Sequence, residues 1–362
     1  MSNYIEYKDT IAFHPGYYIK EIIDDSGLTQ ADFAKRLGTT PKNLSILIRG
    51  EQSLSIDIAM KLSRMLGTSV SYWLNLQNGF DSLLAEFRSD EELIRERQVF
   101  KYLDYKYFRN NYGLPDLPRK IDEQIIAVRE FLKVASLSVF SDRDMSVVFR
   151  SSSDKLTDSN IFKANMMVQI AINESLNIET PKYDKTKFLR AVEYALTLTD
   201  KNKDKDFYPL LSKAFCEAGV VFLIMPNIEG ADINVASKKI GNKIMLMIND
   251  RKLRSDSFWF TLFYEIGHIV NGDFGASFEM ELGNKEGQAD KYANDLLIPP
   301  IEYEEFKEKG EFTRKRIIKF AEMINRDPGI VVGRLQNDNL IDYNDSSLQS
   351  LKKKYEVTLS QS

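Results

Sequence analysis

The first 80 residues carry a series of short helical patterns, each with its own start and stop signal. Pro15 opens the first helix and Ser26-Gly27 ends it. Thr29 caps the second helix, which stops at Gly38, because a threonine hydroxyl accepts from unpaired N–H groups and glycine readily adopts a left-handed backbone. Thr40-Pro41 starts the third helix. These signals predict a small all-α domain over residues 1–80.

The second and third helices are joined by a Gly-Thr-Thr turn, which is the arrangement of a helix-turn-helix. This part of the chain resembles the HigA-type antitoxins, within the wider repressor-type helix-turn-helix family. The resemblance rests on His14-Pro-Gly16, Leu28–Gly38 and Leu66–Gln77, and it covers nearly all of residues 13–81. It implies a transcriptional regulator that binds a double-stranded DNA operator, with a cognate toxin as a protein partner. It also places His14 as the cap of the first helix.

In this geometry the N-terminal residues of the third helix lie at base edges in the major groove. Lys42 can donate to guanine, and Asn43 can bond adenine or a phosphate. Gln30 and Arg49 are placed for phosphates. The predicted DNA-contacting residues are therefore Gln30, Thr40, Pro41, Lys42, Asn43 and Arg49. The alternative is that Gln30 and Asn43 are solvated surface residues and that Lys42 serves solubility.

The charge of this segment limits how it can bind DNA. Residues 1–80 contain eight Lys and Arg against eight Asp and Glu, and the whole chain carries a net charge of −4. Because non-specific affinity comes from an excess of cations facing phosphates, we expect it to be weak here. Tight binding then requires a homodimer on an operator with two half-sites.

Residues 81–155 predict a helical connector. A charged run, Asp90–Arg97, is followed by the aromatic-rich Phe100–Phe108, and Asp122–Leu137 reads as an amphipathic helix. Basic residues between tyrosines also allow a nucleic-acid surface here. The acidic neighbours favour instead an inter-domain or dimer-forming helix.

Residues 156–362 predict an α+β domain, in a chain that is mostly α overall. Two apolar runs, 220–225 and 243–249, read as buried strands. The helix Phe258–His268 follows them, with Asp256 or Ser257 as its N-cap. Its sequence Tyr264-Glu-Ile-Gly-His268 resembles the H-E-x-x-H helix of zinc peptidases, with a tyrosine in place of the first histidine.

The wider resemblance is to the ImmA/IrrE metallopeptidase-like domain, over roughly residues 200–340. It rests on Ile244–Arg251, Asp256–Ile269, Glu286–Pro299 and Pro328–Gln336. It implies a zincin-like fold in which His268 and Glu286 are metal ligands, Tyr264 stands at the third ligand position, and Glu265 is the general base.

Three hypotheses follow for this site. A neutral phenol, with a pKa of about 10, is a poor zinc ligand. The favoured hypothesis is therefore a degenerate peptidase kept to bind or sense a partner, without a cofactor. The second is a weak metal site at His268, Glu286 and Tyr264. The third is a working zinc endopeptidase that cleaves a repressor or regulatory protein, with Glu265 catalytic.

The rest of the composition places the protein in the cytoplasm. No run of 18 apolar residues predicts a membrane span, and the N-terminus lacks a secretion signal pattern. The single cysteine, Cys216, cannot form a disulfide within the chain.

Overall fold

The structure of the chain, a computed structural model, describes residues 3–150, 156–199, 207–278 and 287–355. Contacts between residues divide the chain into two compact units, Met1–Arg95 and Glu96–Ser362. The predicted domain boundaries after residues 80 and 155 stay predictions.

The first unit begins with a β-hairpin that the all-α prediction left out. Strand β1 (Tyr4–Tyr7) pairs antiparallel with β2 (Thr10–Phe13). The turn residues Lys8 and Asp9 both have positive φ, 47° and 60°. Tight hairpin turns with this backbone usually contain Asn-Gly or Asp-Gly, so Lys-Asp gave no recognisable signal.

Short helices follow the hairpin, and the first three begin at the residues that the sequence predicted. They are α1 (Pro15–Ser26), α2 (Gln30–Leu37), α3 (Pro41–Ile48) and α4 (Ile56–Leu66). The side chains of His14, Thr29, Thr40 and Ser55 cap their N-termini. Their apolar faces share one core, which includes the fully buried Leu44 and Leu62 and the nearly fully buried Trp73.

The fifth helix is longer than predicted. Helix α5 runs from Val70 to Phe100 and includes the charged run 90–97. No proline interrupts these residues, so the charged run continues the helix instead of starting a new one. The division between the two units falls within α5.

Helices of the second unit precede its sheet. They are α6 (Tyr105–Tyr112), α7 (Ile121–Leu132), α8 (Asp158–Leu176), α9 (Lys185–Thr197) and α10 (Phe207–Glu217), with a 3₁₀ turn at Leu137–Ser141. The amphipathic helix predicted over residues 122–137 is confirmed as α7, although it ends five residues early at Leu132. Lys133 follows it with φ 57°, a left-handed conformation that stops the helix.

The sheet consists of β3 (Val220–Met225), β4 (Ile233–Ile240), β5 (Lys243–Asn249) and β6 (Ala276–Phe278). Within the described residues its order is β3-β5-β4-β6, with β3 and β5 parallel and the other pairs antiparallel. The two predicted strands, β3 and β5, are confirmed. They were predictable because their apolar runs are continuous. Strands β4, which carries Lys238 and Lys239, and β6, which is only three residues long, lack such a run and were not predicted.

Helix α11 (Ser255–Asn271) packs on this sheet and is buried along most of its length. It begins before the predicted N-caps Asp256 and Ser257. Arg254 holds the N-cap position without a side-chain cap, so that prediction was wrong. The remaining helices are α12 (Gly287–Leu297), α13 (Pro300–Glu308), α14 (Arg314–Met323), α15 (Pro328–Asn337) and α16 (Ser346–Gln349).

Among the described helices, none combines the length and the apolar content needed to cross a membrane.

Candidate functional site

The turn between α2 and α3 is held by hydrogen bonds at the start of each helix. Thr29 Oγ1 accepts from Asp32 N at 3.1 Å, and Thr40 Oγ1 accepts from Asn43 N at 3.1 Å. Gln30 Nε2 donates to the Pro41 carbonyl oxygen at 3.3 Å and so joins the two helix starts. These contacts fix the N-terminal end of α3.

Helix α1 sets the other end of α3. A Cβ atom built on Gly16 would lie 2.1 Å from the Leu47 carbonyl oxygen, far inside any van der Waals contact. Only glycine therefore allows α1 to approach α3 this closely. His14, directly before α1, is buried and accepts from Gly16 N at Nδ1, at 3.0 Å. Its predicted role as the cap of the first helix is confirmed.

Of the predicted DNA-contacting residues, Gln30 donates to Pro41, and the other five divide into two groups. Thr40, Pro41 and Lys42 are exposed at the start of α3. Within the described ranges, the Lys42 ammonium makes no ion pair or hydrogen bond. Its charge is therefore available to a ligand.

Asn43 and Arg49 are already engaged. Asn43 donates from Nδ2 to Thr39 Oγ1 at 2.9 Å and accepts from Gln52 Nε2 at 2.8 Å. Arg49 binds Glu51 through two nitrogens, at 2.7 and 2.9 Å. These hydrogen bonds to Glu51 raise the pKa of Arg49. Both residues would have to exchange protein partners for DNA, and their assignment stays a prediction.

The second candidate site is the buried carboxylate of Glu265 on α11. Its side chain is fully buried and is bound by Arg150 through two hydrogen bonds. Arg150 Nη1 donates to Oε2 at 2.8 Å, and Nη2 donates to Oε1 at 3.0 Å. Ser237 Oγ, on β4, donates to Oε1 at 2.5 Å. A buried carboxylate is costly unless it is paired and hydrogen-bonded, and these contacts meet that requirement.

Arg150 is held in place by the edge of the sheet. It donates from Nη1 to Ser277 Oγ at 2.8 Å and from Nη2 to the Asp273 carbonyl oxygen at 3.1 Å. Its backbone N–H donates to Ala276 O at 3.0 Å, and Ala276 N donates to Val148 O at 2.9 Å. The segment 148–150 therefore lies alongside β6 as an added strand would.

Gly275 leaves room for this arrangement. A Cβ atom there would lie 3.0 Å from Val148 O and 3.1 Å from Arg150 Nε. Burial alone lowers the pKa of the Arg150 guanidinium, but the charge and hydrogen bonds of Glu265 outweigh that effect and raise the pKa above its usual value. Arg150 is therefore a permanent cation in this site.

Tyr264 and His268 lie beside this pair on α11. Tyr264 is 2% exposed, and its ring centroid is 4.8 Å from that of His268, edge to face. His268 Nδ1 is 2.6 Å from Asp273 Oδ2. Carboxylates orient metal-binding histidines through the same kind of contact.

The predicted ligand Glu286 lies outside the described residues. Ala289, three positions later, packs against the motif helix: a Cβ atom on Gly267 would lie 3.1 Å from Ala289 Cα. The glycine of Tyr264-Glu-Ile-Gly-His268 thus lets α12 approach α11 closely.

The described residues do not fit a zinc ion. Among them, no three His, Cys, Asp or Glu side chains are grouped to hold a metal. The guanidinium of Arg150 binds both oxygens of Glu265, and a metal cation beside it would be repelled. The metal assignment of His268, Glu286 and Tyr264 stays a prediction.

Sequence reasoning missed Arg150. It lies 115 residues before Glu265, in the segment assigned to the connector. The sequence contains only an indirect sign of this pair. The motif glutamate lies in an apolar helix in which one metal-binding histidine is replaced, so its carboxylate needs a cation from elsewhere in the protein.

Comparisons with known proteins concern the N-terminal unit. Residues 19–73 match the helix-turn-helix family model. The chain is 35% identical over 81 residues to an uncharacterized HTH-type transcriptional regulator of Escherichia coli, YddM, a match that covers 22% of this chain and 86% of the relative. It is 32% identical over 76 residues to virulence-associated protein I of Dichelobacter nodosus, covering 21% of this chain and 70% of that protein.

Solved structures are also similar over this part, among them an addiction module antidote protein of a HigA family from Coxiella burnetii, with 26% identity. The match covers 23% of this chain and 91% of that one. The TM-score of this match is 0.21.

Proposed function

Because the chain belongs to the helix-turn-helix family of transcriptional regulators through residues 19–73, we propose that it is a sequence-specific DNA-binding regulator that represses its own operon, as antitoxins do. Helix α3 enters the major groove, and Lys42 contacts a base edge or phosphate there. The observation that carries this proposal is the exposed start of α3, where Lys42 makes no ion pair with any described residue.

A gel shift with DNA from upstream of the protein's own gene tests this proposal. Lys42→Ala should weaken specific binding by about 1–3 kcal/mol. Lys20→Ala is the matched control, because Lys20 is an exposed lysine on α1 and its loss changes the net charge equally. Unchanged binding by both Lys42→Ala and Gln30→Ala would assign DNA recognition to another part of the chain.

The regulator acts as a homodimer in this proposal. The charge-neutral N-terminal segment offers little non-specific affinity, so two copies on two half-sites supply the binding energy. Light scattering of the protein–operator complex should give two chains per operator. One chain per operator with high affinity would contradict the dimer.

For residues 156–362 we propose a zincin-like domain that has lost peptidase activity and binds or senses a protein partner, such as a cognate toxin. The support is the Arg150–Glu265 pair. Two guanidinium N–H groups and the Ser237 hydroxyl occupy the carboxylate, so it is not positioned to accept a proton from a water molecule.

The toxin partner is tested by co-expression with the protein encoded beside this one in the genome. A complex that survives size-exclusion chromatography, together with relief of growth arrest, is the expected result. Two proteins that elute separately and have no effect on growth would contradict toxin pairing.

The alternative is an active zinc endopeptidase that cleaves a repressor. The contact between His268 Nδ1 and Asp273 favours it, since it is typical of metal sites. Metal analysis of the purified protein separates the two proposals: about one tightly held zinc per chain, with peptide hydrolysis, would support the endopeptidase.

The variants Tyr264→His, Arg150→Met and their combination refine this test. We expect zinc uptake only in the double variant, because Arg150 would still repel the metal in Tyr264→His. Uptake by Tyr264→His alone would assign the loss of metal to the tyrosine and remove the role proposed for Arg150.

A further inference from the structure

A cavity of about 370 Å³ lies in the second unit, between the N-terminal half of α11, the end of α12 and helix α15. Its floor is apolar and is formed by Ile248, Phe258, Leu297, Ile298 and Ile330, all buried. Neither Glu265 nor Arg150 belongs to its described lining. The cavity is therefore distinct from the carboxylate site, although both use α11.

Polar side chains that have no hydrogen-bond partner among the described residues line the same space. Within the described part of the chain, Asn234, Ser257, Thr261 and Asn337 form no side-chain hydrogen bond. Thr261 is informative because it is only 6% exposed. Buried hydroxyl and amide groups are normally hydrogen-bonded, so such a group in a cavity wall is suited to a ligand.

Arg334 supplies a fixed cation at this cavity. Its Nε donates to Asp338 Oδ2 at 3.0 Å, and its guanidinium carbon lies 5.1 Å from the centroid of the Tyr303 ring. Tyr303 in turn donates to the same Asp338 oxygen at 2.8 Å. Asp338 is the only carboxylate that Arg334 binds among the described residues. The orientation of the guanidinium is set, and its Nη edge remains for an anion.

The other charged groups in the wall neutralise each other. Lys352 Nζ lies 2.5 Å from Asp256 Oδ2, and both side chains are nearly buried. Among the described lining residues, Arg334 is thus the cation whose carboxylate partner, Asp338, lies outside the lining.

We propose that this cavity binds a small organic carboxylate with an apolar body. The carboxylate pairs with the Nη atoms of Arg334, the apolar body rests on the floor, and Thr261 and the asparagines hydrogen-bond to its polar substituents. This site goes beyond the function proposed above and does not depend on operator binding by the N-terminal unit.

The test uses 2-naphthoate as the probe and 2-naphthamide as its uncharged counterpart, with the full-length protein. Ligand-observed NMR and calorimetry should show saturable binding of 2-naphthoate at one site. Arg334→Gln should weaken it about tenfold, the loss expected for a charge-assisted hydrogen bond, and should abolish the preference over the amide. Arg316→Gln is the control, because it removes the same charge outside the cavity lining.

Two further variants keep the test decisive. Asn234→Trp should block the binding of both probes by filling the cavity, while Arg334 stays in place. Arg334→Lys keeps the charge but loses the planar fork, so its affinity should fall between those of the wild type and Arg334→Gln. The proposal is overturned if 2-naphthoate shows no saturable binding at millimolar concentration, if the amide binds equally well, or if Asn234→Trp leaves binding unchanged.

Discussion

Arg150 and Glu265 lie 115 residues apart in the chain, yet their side chains form a two-pronged ion pair, with N–O distances of 2.8 and 3.0 Å. Both side chains are buried, at 7% and 0% exposure. In an H-E-x-x-H helix the glutamate works beside a metal cation. In this chain the cation beside Glu265 is the guanidinium of Arg150, and this changes both the stability and the chemistry of the site.

Removing one member of this pair should destabilise the second unit. Arg150→Met leaves the Glu265 carboxylate buried without its cation, and we expect a loss of about 3–5 kcal/mol. Denaturant unfolding in a Trp73→Phe background measures this loss, since Trp259 then reports on the second unit alone.

The double variant Arg150→Met/Glu265→Leu provides the control. Two apolar side chains of similar size bury no charge, so most of the stability should return. If the double variant is as unstable as Arg150→Met, the loss comes from packing around Arg150 and not from the unpaired carboxylate.

The close approach of α1 to α3 makes a second prediction. Gly16→Ala places a methyl group against the Leu47 carbonyl. We expect a loss of about 1–3 kcal/mol in the first unit and weaker operator binding, because α3 must move. Gly79→Ala is the matched control: Gly79 lies within α5, and no other described side chain or element lies within 4 Å of the new Cβ, so the change should stabilise the helix by about 0.5–1 kcal/mol. Equal losses in both variants would argue against the clash.

His14 gives the first unit a dependence on pH. Burial lowers the pKa of His14, and its Nδ1 accepts a hydrogen bond, so the folded state favours the neutral ring. The unfolded chain takes up the proton first, at a pKa of about 6.5. The free energy of unfolding of the first unit should therefore be highest above that pH and should fall as the pH decreases below it.

Unfolding measured between pH 7.5 and 5.5 for the wild type and His14→Asn tests this dependence. Asparagine keeps a capping acceptor but does not titrate, so its stability curve should be flatter. Parallel curves for the two proteins would remove His14 as the source.

Glu51 should act as an internal competitor of DNA phosphate. Its two hydrogen bonds hold Arg49, one of the predicted phosphate contacts. Glu51→Gln removes the competing charge and should tighten operator binding several-fold. The slope of log affinity against log salt concentration should also steepen by about one unit, as for one more phosphate contact. Asp57→Asn, an equal charge change on α4, serves as the comparison. Equal gains in the two variants would indicate a general charge effect.

The sequence predicted the short helices of the first unit, though not its β-hairpin, because the helix signals are local. The side chains of Thr29, Thr40 and Ser55 each accept from a backbone N–H three residues away, so one short window of sequence contains the whole interaction. Strands β3 and β5 were likewise predictable from their apolar runs. Strands β4 and β6 were not, because their burial depends on neighbouring strands.

Sequence alone determined the helix-turn-helix, the exposed position of Lys42 at the start of α3 and the altered motif at Tyr264. The tertiary structure decided what surrounds Glu265, because an ion pair between residues 150 and 265 depends on the chain bringing segment 148–150 to the edge of β6. It also decided that Asn43 and Arg49 are engaged and that Arg334 faces a cavity. Such contacts join residues that are distant in the chain. Their contribution to the free energy depends on burial, and a local sequence pattern does not indicate which distant segments bury each other.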